Sequence, residues 1–161
     1  MIAALSKSDI YAALYGRHDE RYHWAFILAT DDVSGYKYHA SNLENPAVWQ
    51  YVCEPFDTTK EWKPLVILAK LGRCPPNVST SDLDRLFRSI PLQTPESDAP
   101  HPFTCRIWFR TAMRALNDHN ILSCVSVSAL EWELVDLAND NATAVGLGRP
   151  WKLYVELRSC K

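Results

Sequence analysis

Cysteine and histidine are the residue types in this chain best suited to perform chemistry together. A cysteine thiolate attacks carbonyl carbons, and an imidazole can serve as its base and ion-pair partner. The chain has five cysteines and five histidines, and the histidines are His18, His23, His39, His101 and His119. The local sequence context must therefore indicate which cysteine and which histidine could form such a pair.

Cys105 has the most favourable setting among the cysteines. The apolar positions of residues 104–116 follow helical spacing, and Thr104 is a good N-cap. Cys105 then lies in the first helical turn, where unpaired backbone N–H groups and the positive helix end favour a thiolate. Its own N–H could also stabilise an oxyanion. The competing interpretation is a buried, inert cysteine that fills the seam between helix and sheet.

His23 and His39 fall in two predicted strands of one hairpin, at residues 22–30 and 36–40. A histidine inside such a strand is costly unless its ring nitrogens have partners. A turn centred near Val33 pairs His39 with Ile27 and leaves it ~13 Å from His23. A bulge or an off-centre turn would instead bring the two rings together.

The remaining histidines have weaker settings. His18 and His119 are expected at the surface near turns. His101 lies in a loop with four prolines at residues 91–102, close in sequence to Cys105. It could therefore lean over a site as a rim residue.

Three short motifs together resemble the circularly permuted papain-like fold, which includes NlpC-type and PPPDE cysteine peptidases and lecithin–retinol acyltransferase-like enzymes. They are Tyr22-His23-Trp, Gly35-Tyr-Lys-Tyr-His39 and Thr104-Cys105-Arg-Ile-Trp. In the permuted members a histidine on one strand and a polar residue on the next precede a cysteine at a helix N-terminus. The resemblance covers residues 22–118. It implies Cys105 as nucleophile, His23 as base and His39 as the residue that orients the base.

This resemblance implies thiol-dependent acyl transfer or hydrolysis of an ester, thioester or amide by a Cys105–His23 pair. The substrate would be a small-molecule, acyl or peptide substrate, and no cofactor is implied. The alternative is a non-catalytic binding or scaffold domain that retains the fold with a buried inert cysteine. A metal site built from His23, His39 and Cys105 is a third possibility, although the chain lacks the CxxC and CxxH pairs of structural zinc sites.

The elements that must position these residues are predicted from periodicity and turn residues. Residues 8–15 indicate a short N-terminal helix capped by Ser8. Further strands are predicted at residues 48–54, 65–71 and 151–157, and further helices from residue 79 or 80 and over residues 128–140. The predicted fold is α+β, with an antiparallel sheet packed against the helix that carries Cys105 near its N-terminus. Residues 1–161 are expected to form one papain-like domain, with 1–21 and 119–161 as peripheral additions.

Composition excludes several classes of protein. The chain has 161 residues, is 47% hydrophobic and carries a formal net charge of −2, so it can bury a core but has no basic excess for a nucleic-acid backbone. No apolar run approaches the ~20 residues of a membrane helix. No signal-peptide pattern is visible, which predicts a cytoplasmic location. The odd number and wide spacing of the cysteines argue against a disulfide framework.

Overall fold

The fold is described by a computed structural model over residues 3–17, 21–61 and 64–161. The first five strands are β1 (Asp9–Gly16), β2 (Tyr22–Ala29), β3 (Ser34–Ser41), β4 (Gln50–Asp57) and β5 (Leu65–Arg73). They are followed by α1 (Thr80–Arg88), α2 (Cys105–Asp118), α3 (Val127–Gly146) and β6 (Lys152–Tyr154). The predicted α+β class is confirmed. Within these ranges, no helix combines the length and apolarity needed to cross a bilayer.

The six strands form one sheet in the order β4-β3-β2-β1-β5-β6. The four pairs among β1–β5 are antiparallel, whereas β6 pairs with β5 in parallel. The sheet is therefore mixed, and the prediction of an entirely antiparallel sheet was wrong for its last strand. The chain reaches β6 through the three helices, and a crossover of this length permits parallel pairing.

The N-terminal segment is an interior strand, so the predicted N-terminal helix was wrong. β1 lies between β2 and β5, and its side chains are buried on both faces of the sheet. Ile10 and Leu14 contact one apolar cluster, and Tyr11 and Tyr15 contact the other. A strand buried on both faces lacks the polar alternation that identifies a half-buried strand. Because β1 sits inside the sheet, residues 9–16 are not a peripheral addition.

The sheet has two unlike faces, which we call the helix face and the far face. The helix face packs against α1, α2 and α3 through an aromatic core in which Phe26 stacks on Phe109 with centroids 4.3 Å apart. The far face carries a second apolar cluster that includes Tyr15 and Ile27. Successive side chains of a strand point to opposite faces. In β2, Trp24 and Phe26 belong to the helix face, which assigns His23 to the far face.

The β2–β3 turn sets the register of the strands that carry the two histidines. The Asp31 carboxylate accepts hydrogen bonds from the backbone N–H groups of Val33 (2.8 Å) and Ser34 (2.7 Å). A side chain at Gly35 would place its Cβ 2.2 Å from the Leu28 carbonyl oxygen, so only glycine allows this close approach. The resulting register pairs Lys37, rather than His39, with Ile27.

A disulfide between Cys124 and Cys160 joins the C-terminal end to the segment before α3. The number and spacing of the cysteines argued against a disulfide framework, and this one disulfide corrects that expectation. The Glu133 carboxylate holds the same end by accepting hydrogen bonds from the backbone N–H groups of Arg158 (2.8 Å) and Ser159 (2.9 Å). The paired cysteines are 36 residues apart and meet only because α3 and β6 fold back, which cysteine spacing alone does not reveal.

Candidate functional site

Cys105 lies on the helix face of the sheet, at the first position of α2. It is 1% exposed, and its Sγ–H points to the Tyr22 carbonyl oxygen at 3.9 Å. Both it and the neighbouring Trp24 belong to the core beneath the helices. His23 extends to the opposite face, because adjacent strand residues alternate. The structure therefore does not bring Cys105 and His23 together, and the expected catalytic pair is not formed.

Burial also opposes thiolate formation at Cys105. Desolvation raises the pKa of the Cys105 thiol above its ordinary value. The backbone N–H of Trp24, the charge of Arg17 and the N–H groups at the helix end act in the opposite direction but do not outweigh burial. The direction is the reverse of the one expected from the helix terminus alone. These properties fit the interpretation of Cys105 as a core residue.

The two histidines of the hairpin contact each other directly. His23 Nε2 and His39 Nδ1 are 2.7 Å apart, and the two ring planes are nearly perpendicular at 81°. The distance is that of a strong hydrogen bond. The turn centred on Asp32, rather than Val33, accounts for it, because it brings His39 two residues closer to His23 along the strand. The off-centre turn considered as the second possibility is therefore the observed one.

Glu54 of β4 extends this chain of polar groups on the far face. Its Oε1 atom is 3.5 Å from His39 Nε2 and 3.1 Å from Lys37 Nζ. His39 first, and then Lys37, lower the pKa of Glu54 to about 2, against the opposing effect of partial burial. The carboxylate is therefore ionised at neutral pH. Sequence reasoning missed Glu54, because only the strand register shows that it faces Lys37 and His39.

Glu61 connects Lys37 to Tyr15 through a second set of polar contacts on the far face. Lys37 is 4% exposed and lies 3.4 Å from Glu61 Oε1, which also accepts a hydrogen bond of 2.9 Å from the Tyr15 hydroxyl. A buried ammonium group requires such partners. Glu54 and Glu61 therefore both lie within ion-pair distance of Lys37.

We assign the ring hydrogens from the contacts of the two rings. Because a carboxylate only accepts and Glu54 Oε1 lies 3.5 Å from His39 Nε2, we place the hydrogen of the neutral His39 ring on Nε2. His39 Nδ1 is then an acceptor, and His23 Nε2 supplies the hydrogen between the rings. In this assignment His23 Nδ1 carries no hydrogen when the ring is neutral. The arrangement of carboxylate, orienting group and base is that of a proton relay.

A cleft of about 1090 Å³ opens at the end of the sheet where His23 lies. Two hydrogen bonds fix α3 above it: the Tyr22 hydroxyl donates to Asn139 Oδ1 (2.6 Å), and Asn141 Nδ2 donates to the Val66 carbonyl oxygen (2.9 Å). The cleft is therefore largely formed in advance. Its polar lining residues include Arg17, Arg21, His23, Ser41, Asn42, Asn139 and Thr143, and its apolar lining residues include Leu43, Trp49, Val66 and Val145.

The other candidate residues do not join this site. His101 and His119 are exposed, and His18 lies outside the described residues. The proposed metal site of His23, His39 and Cys105 is not assembled, because Cys105 lies on the opposite face. Across the part of the chain that the structure describes, no group of three or more histidine, cysteine or acidic residues is arranged to hold a metal ion.

Comparison with known proteins gives one family. Residues 7–142 match the model of a family of unknown function, DUF6914. No curated protein and no solved structure matches the chain significantly. The match is to this family rather than to a papain-like, NlpC, PPPDE or lecithin–retinol acyltransferase family, so the resemblance inferred from the three short motifs was wrong. The matched region covers both histidines and Glu54, and the chain belongs to the DUF6914 family.

Proposed function

We propose that this protein hydrolyses or transfers the acyl group of an ester, thioester or amide, with His23 as the general base in the cleft. His39 and Glu54 are the positioning residues. The observation that carries the proposal is the chain of contacts from Glu54 through His39 to His23, which ends at the cleft wall. Cys105 has no role in this version of the reaction, because it is buried on the opposite face.

The reaction begins when His23 removes a proton from an oxygen nucleophile in the cleft. The positive charge that forms on His23 is stabilised through the His23–His39 hydrogen bond by the Glu54 carboxylate. The nucleophile attacks the acyl carbon, and His23 then returns the proton to the leaving group. A base of this kind contributes about 10²–10⁴-fold to the rate.

The lining of the cleft supports an acyl substrate with an apolar part. Leu43, Trp49 and Val145 form apolar surface beside the polar groups of Asn42 and Thr143. A largely apolar wall with a few oriented polar groups is typical of small-molecule sites. The substrate expected from this lining places its carbonyl near His23 and its hydrocarbon part against the apolar wall.

Ester turnover tests the proposal. We expect the wild-type protein to hydrolyse p-nitrophenyl butyrate faster than the uncatalysed reaction, and His23→Ala to lower kcat/KM by about 100-fold or more. The matched control is His101→Ala, because His101 is an exposed histidine that does not line the cleft. Glu54→Gln should lower kcat/KM by a smaller factor. Equal activity of the His23 and His101 variants would contradict the proposal.

The burial of Cys105 favours a second candidate, a binding module without chemistry. The raised pKa and 1% exposure of Cys105 are those of an inert core residue. In this case the cleft binds a small molecule, and the polar network on the far face serves only to hold the strands together. Binding of butyrate to the wild-type protein, detected by nuclear magnetic resonance, without turnover of its esters would favour this candidate.

A further inference from the structure

We infer that the acyl substrate of this cleft carries an anionic group, a carboxylate or a phosphate, that Arg17 and Arg21 bind, an inference that rests on the proposed function. Both arginines are exposed and line the cleft together with His23. A guanidinium presents a planar set of N–H donors that matches two oxygens of a carboxylate or a phosphate. The cleft therefore offers recognition of a charged end of the substrate in addition to its apolar wall.

The β1–β2 hairpin positions the two arginines at one end of the sheet. Gly16, the last residue of β1, pairs with Tyr22, the first residue of β2. Arg17 directly follows Gly16 and Arg21 directly precedes Tyr22, so each arginine is one residue from a paired position. The two side chains therefore start from adjacent strand ends at the same edge of the cleft.

The charged side chains of the cleft lining are positive, although the chain as a whole has a formal net charge of −2. Among the described residues that line the cleft, none is an aspartate or a glutamate. An anion between two guanidinium groups reduces their mutual repulsion. Arg17 and Arg21 each have a further interaction within the protein. Because a guanidinium has five N–H donors, it can bind a ligand in addition to such a partner.

The position of His23 sets the expected distance between the anionic group and the acyl carbon. Arg21 and His23 are two residues apart, so their Cα atoms are at most roughly 7 Å apart. We therefore expect a short hydrocarbon spacer between the two groups, packed against the apolar wall of the cleft. Derivatives of adipic acid, a six-carbon diacid, have a spacer of this kind and serve as probes.

Binding of two amides of adipic acid tests this inference without turnover. The monoamide carries one carboxylate, and the diamide has an uncharged carboxamide of nearly the same shape in its place. Titration of the full-length protein, followed by nuclear magnetic resonance, measures the Kd of each. We expect the wild-type protein to bind the monoamide at least about 10-fold more tightly, because hydrogen bonds to charged groups contribute more than neutral ones. This preference should decrease as the ionic strength rises.

Substitution of the arginines identifies the residues that recognise the anion. Arg17→Gln and Arg21→Gln should each weaken binding of the monoamide by about 10-fold and leave the Kd of the diamide unchanged. Both positions are exposed, so the variants should keep the wild-type Tm. The matched control is Arg85→Gln, which removes an exposed arginine of α1 that does not line the cleft. Stronger displacement of the monoamide by inorganic phosphate than by acetate would identify the anionic group as a phosphate, and weaker displacement would identify it as a carboxylate.

The outcomes separate this inference from the proposed function. If the protein hydrolyses p-nitrophenyl butyrate with the expected dependence on His23 but binds both amides equally, the proposed function stands and the inference fails. If it prefers the monoamide through both arginines but hydrolyses no ester, the anion site is supported and the proposed function fails. An undiminished preference for the monoamide in the double variant Arg17→Gln/Arg21→Gln would overturn the assignment to these two residues.

Discussion

Replacing Cys160 with serine removes the disulfide that ties the C-terminal end to the segment before α3. The cross-linked cysteines are 36 residues apart. In the chain-entropy description, closing a loop of this length stabilises the folded state by about 3.8 kcal/mol at 25 °C, while measured values for disulfides centre on about 2–4 kcal/mol. The cost arises in the unfolded chain, which gains conformations when the link is absent.

Several contacts of the C-terminal end remain in this variant. Glu133 still accepts the two backbone hydrogen bonds from Arg158 and Ser159, and Leu157 stays buried. Cys124 lies 3.6 Å from the Leu71 carbonyl oxygen, so its thiol keeps a partner after the disulfide is lost. We therefore expect the variant to fold, with its free energy of unfolding lowered by about 2–4 kcal/mol.

Thermal unfolding followed by circular dichroism measures this effect. For a chain of this size, 1 kcal/mol corresponds to about 2–4 °C, so Tm should fall by about 4–16 °C. Addition of a reductant should lower the wild-type Tm to that of Cys160→Ser and leave the variant unchanged. A wild-type Tm that does not respond to reductant, together with an equal Tm for the variant, would refute the reasoning.

Three further predictions concern buried groups and the hairpin. Cys105 should react with iodoacetamide only after unfolding, because it is 1% exposed, and rapid alkylation in the native protein would restore the thiol mechanism. Glu54 has its folded-state pKa lowered to about 2, so its contribution to stability should be present above about pH 4.5 and disappear as the pH falls toward 2. Chemical denaturation across this range should show a smaller loss in Glu54→Gln. Gly35→Ala should disrupt the hairpin, because its Cβ would meet the Leu28 carbonyl oxygen at 2.2 Å, and an unchanged Tm would contradict that account.

Local signals were sufficient to predict the helix that begins at Cys105 and the hairpin that carries His23 and His39. The helix has a regular apolar stripe, and the Thr104 side chain caps it by accepting from the backbone N–H of Ile107 at 3.4 Å. The hairpin has apolar strands around a turn of small and acidic residues. Signals of this kind depend on residues only a few positions apart, which is why they are visible in the sequence.

Long-range relations could not be predicted in the same way. The sequence shows that His23 lies between Tyr22 and Trp24, but it does not show which of these side chains faces the helices. Because Trp24 faces the helices, His23 faces away from them and lies on the side of the sheet opposite Cys105. The register of the hairpin depends on the Asp31 side chain and on Gly35, and it differs by two residues from the register of a turn centred one position later.

The sequence also could not predict which charged residues contact the site. Glu61 follows β4 and reaches back to Lys37 and Tyr15, which are 24 and 46 residues away in the chain. No spacing rule connects such residues. The prediction of a helix at β1 was wrong for a related reason. β1 is buried on both faces because β2 and β5 lie beside it and apolar clusters cover both faces, and its own sequence does not show this.

The imidazole tautomers of His23 and His39 provide the most direct test of the proton relay. A long-range ¹H–¹⁵N correlation spectrum of the histidine rings, recorded under conditions where both rings are neutral, identifies which nitrogen of each ring carries the hydrogen. Assignment uses the single variants His23→Ala and His39→Ala. The relay predicts a hydrogen on Nε2 of both neutral rings and none on His23 Nδ1. A hydrogen on Nδ1 of His23 in the neutral ring would contradict the account, because the ring could not then accept a proton there.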